Sequence, residues 1–279
     1  MSAERSPKRR QWIAIVATLS LLAGCLLALW LLGDGTDPHT QVAHQPPGAA
    51  APTGRGAPAA TMAKVRERLG EALRAKHFAP GAPIYMRIFK ESRELEVWVK
   101  RGRKFEHFRT WRICYFSGGL GPKLKRGDMQ APEGFYEVRR RQLNPRSSYH
   151  LSFNVGYPNR YDRAHGRTGS AIMVHGSCVS AGCFAMTDDK IEEIYALAAG
   201  AFSGGQSAFG VHIFPFRMTE ENMKRHVSDG EGDGDGDGDG GGDWAFWRNL
   251  KEGYDAFERT AVPPKVRVRN KRYVISASR

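Results

Sequence analysis

Residues 171–189 read AIMVHGSCVSAGCFAMTDD. The run Ala171 to Val174 is short and apolar, as a buried strand is, and it ends at His175. A glycine-bearing loop follows, and the pair Gly182-Cys183 closes it, the cysteine eight residues after the histidine. A thiol attacks as thiolate, and an imidazole within hydrogen-bond reach supplies the base that makes one near neutral pH. Glycine before Cys183 allows an unusual turn and close approach of a substrate. The N–H groups of Gly182 and Cys183 there are candidates for an oxyanion hole. Thr187 is placed to N-cap a helix, with Asp188 and Asp189 at the positive end of its dipole. Its buried stripe is Ile191, Ile194, Tyr195 and Ala198.

Working outward, the surrounding body reads as mainly β with a few helices, an α+β fold. Residues 63–77 have the helical period, with Val65, Leu69, Ala72 and Leu73 on one face. Residues 84–89 and 95–99 flank a polar turn at 91–93 and suggest a hairpin. Further strands are expected at 109–116, 134–138, 149–153 and 211–216. Residues 228–243 are alternating Asp and Gly without apolar surface to bury, and read as a solvated linker. Neither the terminal Glu of an EF-hand nor the repeat of a calcium-binding β-helix is present. Residues 244–257 form an aromatic-rich helix, and 266–269 with 273–275 a terminal hairpin. This 244–279 segment is expected to pack on the 62–227 body, because its aromatics would otherwise be exposed.

The 279 residues include 42 Lys and Arg against 29 Asp and Glu, and seven of those acids lie in the Gly/Asp tract. The rest of the chain is strongly basic, which favours anionic surroundings without choosing among them. At 41% hydrophobic residues the chain has enough for a core and too little for a polytopic membrane protein. Four cysteines exclude a disulfide-dense scaffold. Residues 1–11 are basic, and 12–32 form an uncharged, mostly apolar run of a length to span about 30 Å. The positive-inside rule places the remainder outside the cytoplasm. An uncleaved anchor fits this length, with residues 33–61 as a Pro/Gly/Ala-rich tether. A lipobox ending at Cys25 and a cleaved signal are the alternatives, and all three export the domain, to the periplasm.

The segment from His175 to Met186 resembles the active-site motif of the YkuD-type L,D-transpeptidase family, a strand ending in His-Gly followed by Ser/Thr-x-Gly-Cys. The fit is closer to the YafK-like branch, which pairs a short loop with Gly-Cys-Phe-Ala-Met-Thr-Asp. It extends to Pro132–Tyr136, Tyr149–Phe153, Tyr161–Ser170 and Trp247–Tyr254, interrupted by the acidic tract. The family's frequent His before the glycine is Ala181 here, and its Arg two residues after the cysteine is Ala185. The resemblance implies a β-sandwich-like catalytic domain that modifies peptidoglycan stem peptides without metal or cofactor. Cys183 is then the nucleophile, His175 the general base and acid, and the Gly176 carbonyl the group that orients the imidazole. Amides of Gly182 and Cys183 hold the oxyanion. The thioester, formed at the L-centre carbonyl of diaminopimelate, passes to an amine or to water, and release of wall-attached envelope protein belongs to the second outcome. Arg167 takes the place of the missing arginine toward a substrate carboxylate, with His165 and Ser180 as further substrate contacts.

Outside that motif, Cys114 reads as core within an apolar strand. Cys178 reads as a loop residue, as an oxidisable partner for Cys183, or as a member of a zinc set with Cys183, His175 and His165. The competing class is a basic wall- or membrane-surface binding protein without chemistry. No signature of nucleic-acid binding is present.

Overall fold

The computed structural model describes residues 56–228 and 244–277. The apolar run at 12–32 and the Gly/Asp tract, from residue 229 on, lie outside the described residues. Among the described residues, no helix is long and apolar enough to cross a membrane. The architecture is α+β, with mixed sheets and few helices.

The first helix, α1 (Ala59–Ala75), starts after Pro58 and buries Met62, Val65, Leu69 and Leu73. It is shorter at its end than the periodicity suggests, because His77 takes a left-handed conformation (φ 61°). His77 N–H donates to the Arg74 carbonyl at 2.9 Å and Phe78 N–H to the Leu73 carbonyl at 2.8 Å. This double closure ends a helix and turns the chain out. The strands β1 (Ile84–Phe89), β2 (Glu94–Arg101) and β3 (Lys104–Arg112) follow as antiparallel neighbours. With β4 (Gly134–Arg139) and β9 (Ala208–Phe214) they form a five-stranded sheet ordered β3-β2-β1-β9-β4, in which only β1 and β9 are parallel.

The second sheet is ordered β5-β6-β7-β8: β5 (Leu143–Ser147), β6 (His150–Asn154), β7 (Met173–His175) and β8 (Phe184–Ala185). The short helix α2 (Arg160–Ala164) lies between β6 and β7 in the chain, and α3 (Asp188–Ser203) follows β8. The apolar run at 109–116, expected as one strand, is divided between the sheets. It leaves the first at Arg112 and bridges to the second through Tyr115 and Ala185. Side chains of both sheets meet in one core with α1 and α3, including Met86, Ile88, Val97, Val211, Phe153, Val174, Phe184 and Ile194.

The strand β1 is buried on both faces. Alternation sends Ile84, Met86 and Ile88 into that core and Tyr85, Arg87 and Phe89 to the opposite side. There Phe89, Phe135 and Phe214 pack with Phe246, Leu250 and Tyr254 of α5 (Trp244–Thr260) and Tyr273 of the hairpin β10 (Lys265–Arg269)–β11 (Arg272–Ser276). The helix α4 (Glu220–Ser228) adds Met223 to the same cluster. Arg87 is tolerated on this apolar face because Glu96 of β2 pairs with it at 2.9 Å and Glu258 of α5 also pairs with it, while Trp98 and Phe257 rings lie within 4.9 Å of its guanidinium.

Two buried polar groups hold the sheet to its surroundings. Lys90, just past β1, is fully buried with Glu133, their charged atoms 2.9 Å apart. Its ammonium also donates to the carbonyls of Gly121 (2.7 Å) and Ala131 (3.0 Å). Glu133 accepts in addition from Gly121 N–H (2.7 Å) and from the Trp247 indole of α5 (2.8 Å). His212 on β9 lies 2.7 Å from the Tyr85 hydroxyl. Burial, and then the nearby Arg87 charge, push its imidazole down to about 3.

Truncation at the ion pair leaves a buried charge unpaired, so Lys90→Met is expected to cost about 3–5 kcal/mol of stability in urea unfolding. The double variant Lys90→Met/Glu133→Gln recovers part of that loss. His212 is neutral in the fold and protonated in the unfolded chain below pH 6.5. Stability therefore falls as pH drops from 6.5 toward 3, by up to about tenfold in the folding constant per pH unit from this group. Urea midpoints at pH 7 and pH 5 check this, and His212→Gln, which keeps an acceptor and does not titrate, flattens the dependence.

Candidate active site

The site grows out of the way β8 ends. Val174 pairs with Phe184 and His175 with Ala185 in parallel register, and Tyr115 pairs with Ala185 on the other side. Aligned residues share a face, so Val174, Phe184 and Phe116 point into the core, the two phenylalanine rings 6.0 Å apart. The opposite face receives Met173, His175, Cys183 and Tyr115. Cys183 sits one position before β8, beside Met173. Two strand positions and one interstrand spacing put its Cα roughly 8 Å from that of His175, a span an imidazole and a thiol close together. The thiol and the imidazole make no direct hydrogen bond at rest.

Antiparallel pairing with the 114–116 segment stops at Cys183. If it continued, the backbone of Cys183 would bond that of Ser117. Instead the Ser180 hydroxyl accepts from Cys183 N–H (2.7 Å) and donates to the Cys183 carbonyl (2.7 Å). Ser117 turns its carbonyl to Ala131 N–H (3.1 Å), and its buried hydroxyl has no hydrogen-bond partner. One serine side chain thus ends the ladder and opens the sheet where the thiol stands. Gly182 has φ 112°, a conformation that side-chain-bearing residues rarely adopt, and its backbone faces the Gln130 carbonyl.

His175 is buried, with Nδ1 2.6 Å from the Gly176 carbonyl. A carbonyl only accepts, so Nδ1 carries the proton and Nε2 is left as the basic nitrogen. Gly176 packs where nothing larger fits: an added Cβ would meet Asp188 Oδ1 at 2.5 Å and His150 Cβ at 3.0 Å. That same Asp188 oxygen accepts from Ser177 N–H at 2.8 Å, so the first turn of α3 anchors the loop after the histidine. Thr187 occupies the N-cap position, but its hydroxyl turns to the Asp189 carboxylate instead of the helix backbone.

Burial lowers the imidazole of His175 below its ordinary 6.5, and the Gly176 hydrogen bond offsets part of this. Burial likewise pushes the Cys183 thiol above its ordinary 9.0, opposed by a hydrogen bond from Met173 N–H (3.3 Å), the Lys123 charge and Ser180. The thiol also lies 3.6 Å from the Ala171 carbonyl. Burial thus disfavours the charged form of both groups.

Several expectations are corrected. Cys178 is bonded to Cys114, with Cα atoms 5.4 Å apart, so it is neither the partner of Cys183 nor available to a zinc set. Cys114, expected as plain core, is the other half of that bond, and Cys183 is the free cysteine among the described residues. Arg167, expected toward a substrate carboxylate, already has a carboxylate partner within the fold. Its buried guanidinium pairs with the buried Asp162 at 2.9 Å and lies over the Tyr161 and Phe246 rings. His165 stacks on Tyr161 with ring centres 4.1 Å apart and bonds the Tyr161 carbonyl at the end of α2. Both serve the packing of α2 on α5. Ser180 is spent on the backbone of Cys183, and this also occupies the Cys183 amide expected in the oxyanion hole. The Gly182 amide makes no hydrogen bond among the described residues.

Three residues escaped the sequence reading. Tyr149 lays its ring 4.8 Å from that of His175. Lys123, held by Asp128 and the Lys125 carbonyl, brings a buried positive charge to the thiol. Ser117 leaves the ladder at the position that would have paired with Cys183. Each comes from a different part of the chain, and none has a local pattern that marks it.

The YkuD family, the L,D-transpeptidase catalytic domain, matches residues 83–234. YafK of Escherichia coli (strain K12), whose name places it among the L,D-transpeptidases, is 49% identical over 196 residues, covering 70% of this chain and 75% of the relative. YafK of Escherichia coli O157:H7 matches to the same extent. Among solved structures, the helical cell shape determining protein Pgp2 of Campylobacter jejuni overlays at a TM-score of 0.39 with 19% identity, over 72% of this chain and 80% of that one. Bd1075 of Bdellovibrio bacteriovorus gives 0.33 with 21% identity, over 53% and 56%. With the family match covering more than half of its residues, and a relative of that identity spanning most of its length, the chain belongs to the YkuD L,D-transpeptidase catalytic-domain family.

Proposed function

We propose that the chain is a peptidoglycan-modifying acyl-transfer enzyme that works through a thioester on Cys183. The observation that carries this reading is the free thiol at the open end of β8 beside an imidazole whose Nδ1–H is held by the Gly176 carbonyl. His175 Nε2 takes the thiol proton as Cys183 Sγ bonds the carbonyl carbon at the L-centre of diaminopimelate in a stem peptide. The Gly182 N–H is the donor left open for the oxyanion, while Ser180 keeps the Cys183 backbone rigid. Collapse breaks the carbon–nitrogen bond, and the imidazolium returns its proton to the leaving amine. That amine, contributed to the bond by D-alanine or by a wall-attached envelope protein, departs at this step; the thioester then acylates another amine, giving a cross-link, or meets water, giving a shortened stem that ends in a free carboxylate. Anchoring through residues 12–32, with the domain in the periplasm, fits such a substrate. No cofactor enters these steps.

The test incubates purified full-length protein, kept free of reductant, with sacculi that do or do not carry covalently attached protein, and reads products by mass spectrometry. Cys183→Ala is expected to abolish product, and His175→Ala to slow it by about 10²- to 10⁴-fold. Stems shortened to a free diaminopimelate carboxylate identify hydrolysis, and diaminopimelate–diaminopimelate links identify transpeptidation. Equal products from wild type and Cys183→Ala would sink the enzyme reading and leave a basic wall-binding protein.

The charge states predict the pH behaviour. Because burial favours neutral imidazole, the acid limb of kcat/KM falls below pH 6.5. Because burial favours the thiol, labelling of Cys183 by iodoacetamide in the absence of substrate is slow at neutral pH and rises only above the ordinary thiol range. Rapid labelling at pH 6 would show instead a resting thiolate–imidazolium pair.

A further inference from the structure

We infer that the Cys114–Cys178 disulfide is a positioning element for the Cys183–His175 pair, so that the chain carries out the proposed acyl transfer at its full rate only in its oxidised form. The inference rests on that proposed reaction for its rate readout, and on the geometry around β8 for its argument. The strand β8 has two residues, and its register alone sets where Cys183 stands relative to His175. Both cysteines are tied to the stretch that continues it. Cys114 N–H donates to the Ala185 carbonyl at 2.9 Å, and Cys178 N–H to the Met186 carbonyl at 3.2 Å. Met186 N–H returns to the His175 carbonyl at 2.6 Å. The covalent bond therefore closes a clasp around Ala185 and Met186, joining the loop that leaves His175 to the segment that bridges β8 from the other side.

The loop needs such a tether. Ser177 and Cys178 have φ of 67° and 49°, left-handed conformations without glycine that persist where the surroundings over-determine them. Ser177 is held by Asp188, and Cys178 by the hydrogen bond from its N–H to the Met186 carbonyl and by the disulfide. Cut the disulfide, and the span from Cys178 to Gly182 keeps its conformation by hydrogen bonds alone. Because thiol and imidazole are not in contact at rest, their approach depends on where this short strand holds them. A displacement of 1 Å can cost about a hundredfold in rate. Neither cysteine reaches the reacting atoms, so the role is positional.

A trialkylphosphine tests this on the full chain. It breaks the disulfide to two thiols, is itself oxidised to the phosphine oxide, and takes oxygen and protons from water, without a thiol that would intercept a thioester. Four measurements are paired: product formation on sacculi, circular dichroism, iodoacetamide labelling of Cys183 against pH, and tryptic mapping of the cysteines. Mapping is expected to recover the Cys114–Cys178 peptide pair from untreated protein. Reduction is expected to lower kcat about 10- to 100-fold with little change in KM and unchanged circular dichroism. The Cys183 labelling profile should shift, and reoxidation should restore both. Cys114→Ser/Cys178→Ser should be as slow as reduced wild type and indifferent to phosphine. Wild-type rates and an unaltered labelling profile in either form would overturn the inference. So would activity that is lost only in step with the circular dichroism signal while labelling of the folded fraction is unchanged, since the bond would then be a plain stabilising crosslink. If oxidised wild type yields no product at all, the proposed reaction fails, and the labelling profile by itself still decides the positioning claim.

Discussion

The constraint on which the rest of the structure leans is the fully buried pair of Lys90 and Glu133. Removing two charges from water costs several kcal/mol per ion, and only a complete set of partners offsets it. That set is drawn from three distant parts of the chain: the end of β1, the 118–131 loop through Gly121 and Ala131, and α5 through Trp247. None of these can move without stranding a charge. The loop so fixed runs against the Gly182 turn at Gln130, so one wall of the site is pinned by electrostatics far from the reacting atoms. The Pro132–Tyr136 and Trp247–Tyr254 segments, which stand out separately in the sequence, meet in this pair.

From that frame the site follows as a controlled failure of a β-ladder. A sheet edge normally continues until its partners run out. Here a serine hydroxyl takes both backbone groups of Cys183, and the neighbouring segment departs toward Ala131. The thiol gains an opening while its own backbone stays satisfied. The electrostatics match this construction. Burial discourages charge on both thiol and imidazole, and the opposing influences at the sulfur are the Met173 amide, the Lys123 charge and Ser180.

Much of the fold was legible because alternation and helical period are local. The hairpin of β1 and β2, the α3 stripe and the terminal hairpin all follow from side chains a few residues apart. Errors arose where one run serves two partners. Residues 109–116 look like a single strand, yet Arg112 ends one sheet and Tyr115 joins another. His77 belongs by composition to α1, but its left-handed conformation closes that helix.

The site divides along the same line. His175, Gly176, Gly182 and Cys183 lie within nine residues, and their order on a strand, a turn and a strand end is written in the local pattern. Position alone left Cys178 open between a loop residue, a partner for Cys183 and a zinc ligand, and gave no partner for Arg167, because a cation or a thiol has no role until its neighbours are known. The Arg167 charge is consumed by Asp162, and Cys178 is consumed by a cysteine 64 residues away. Chain order alone brought out His175, Gly176, Gly182 and Cys183 as the candidate site. Tertiary structure decided which charges are already neutralised, which amide is free and what holds the nucleophile in place, because those depend on pairings between residues that only the folded sheets bring together.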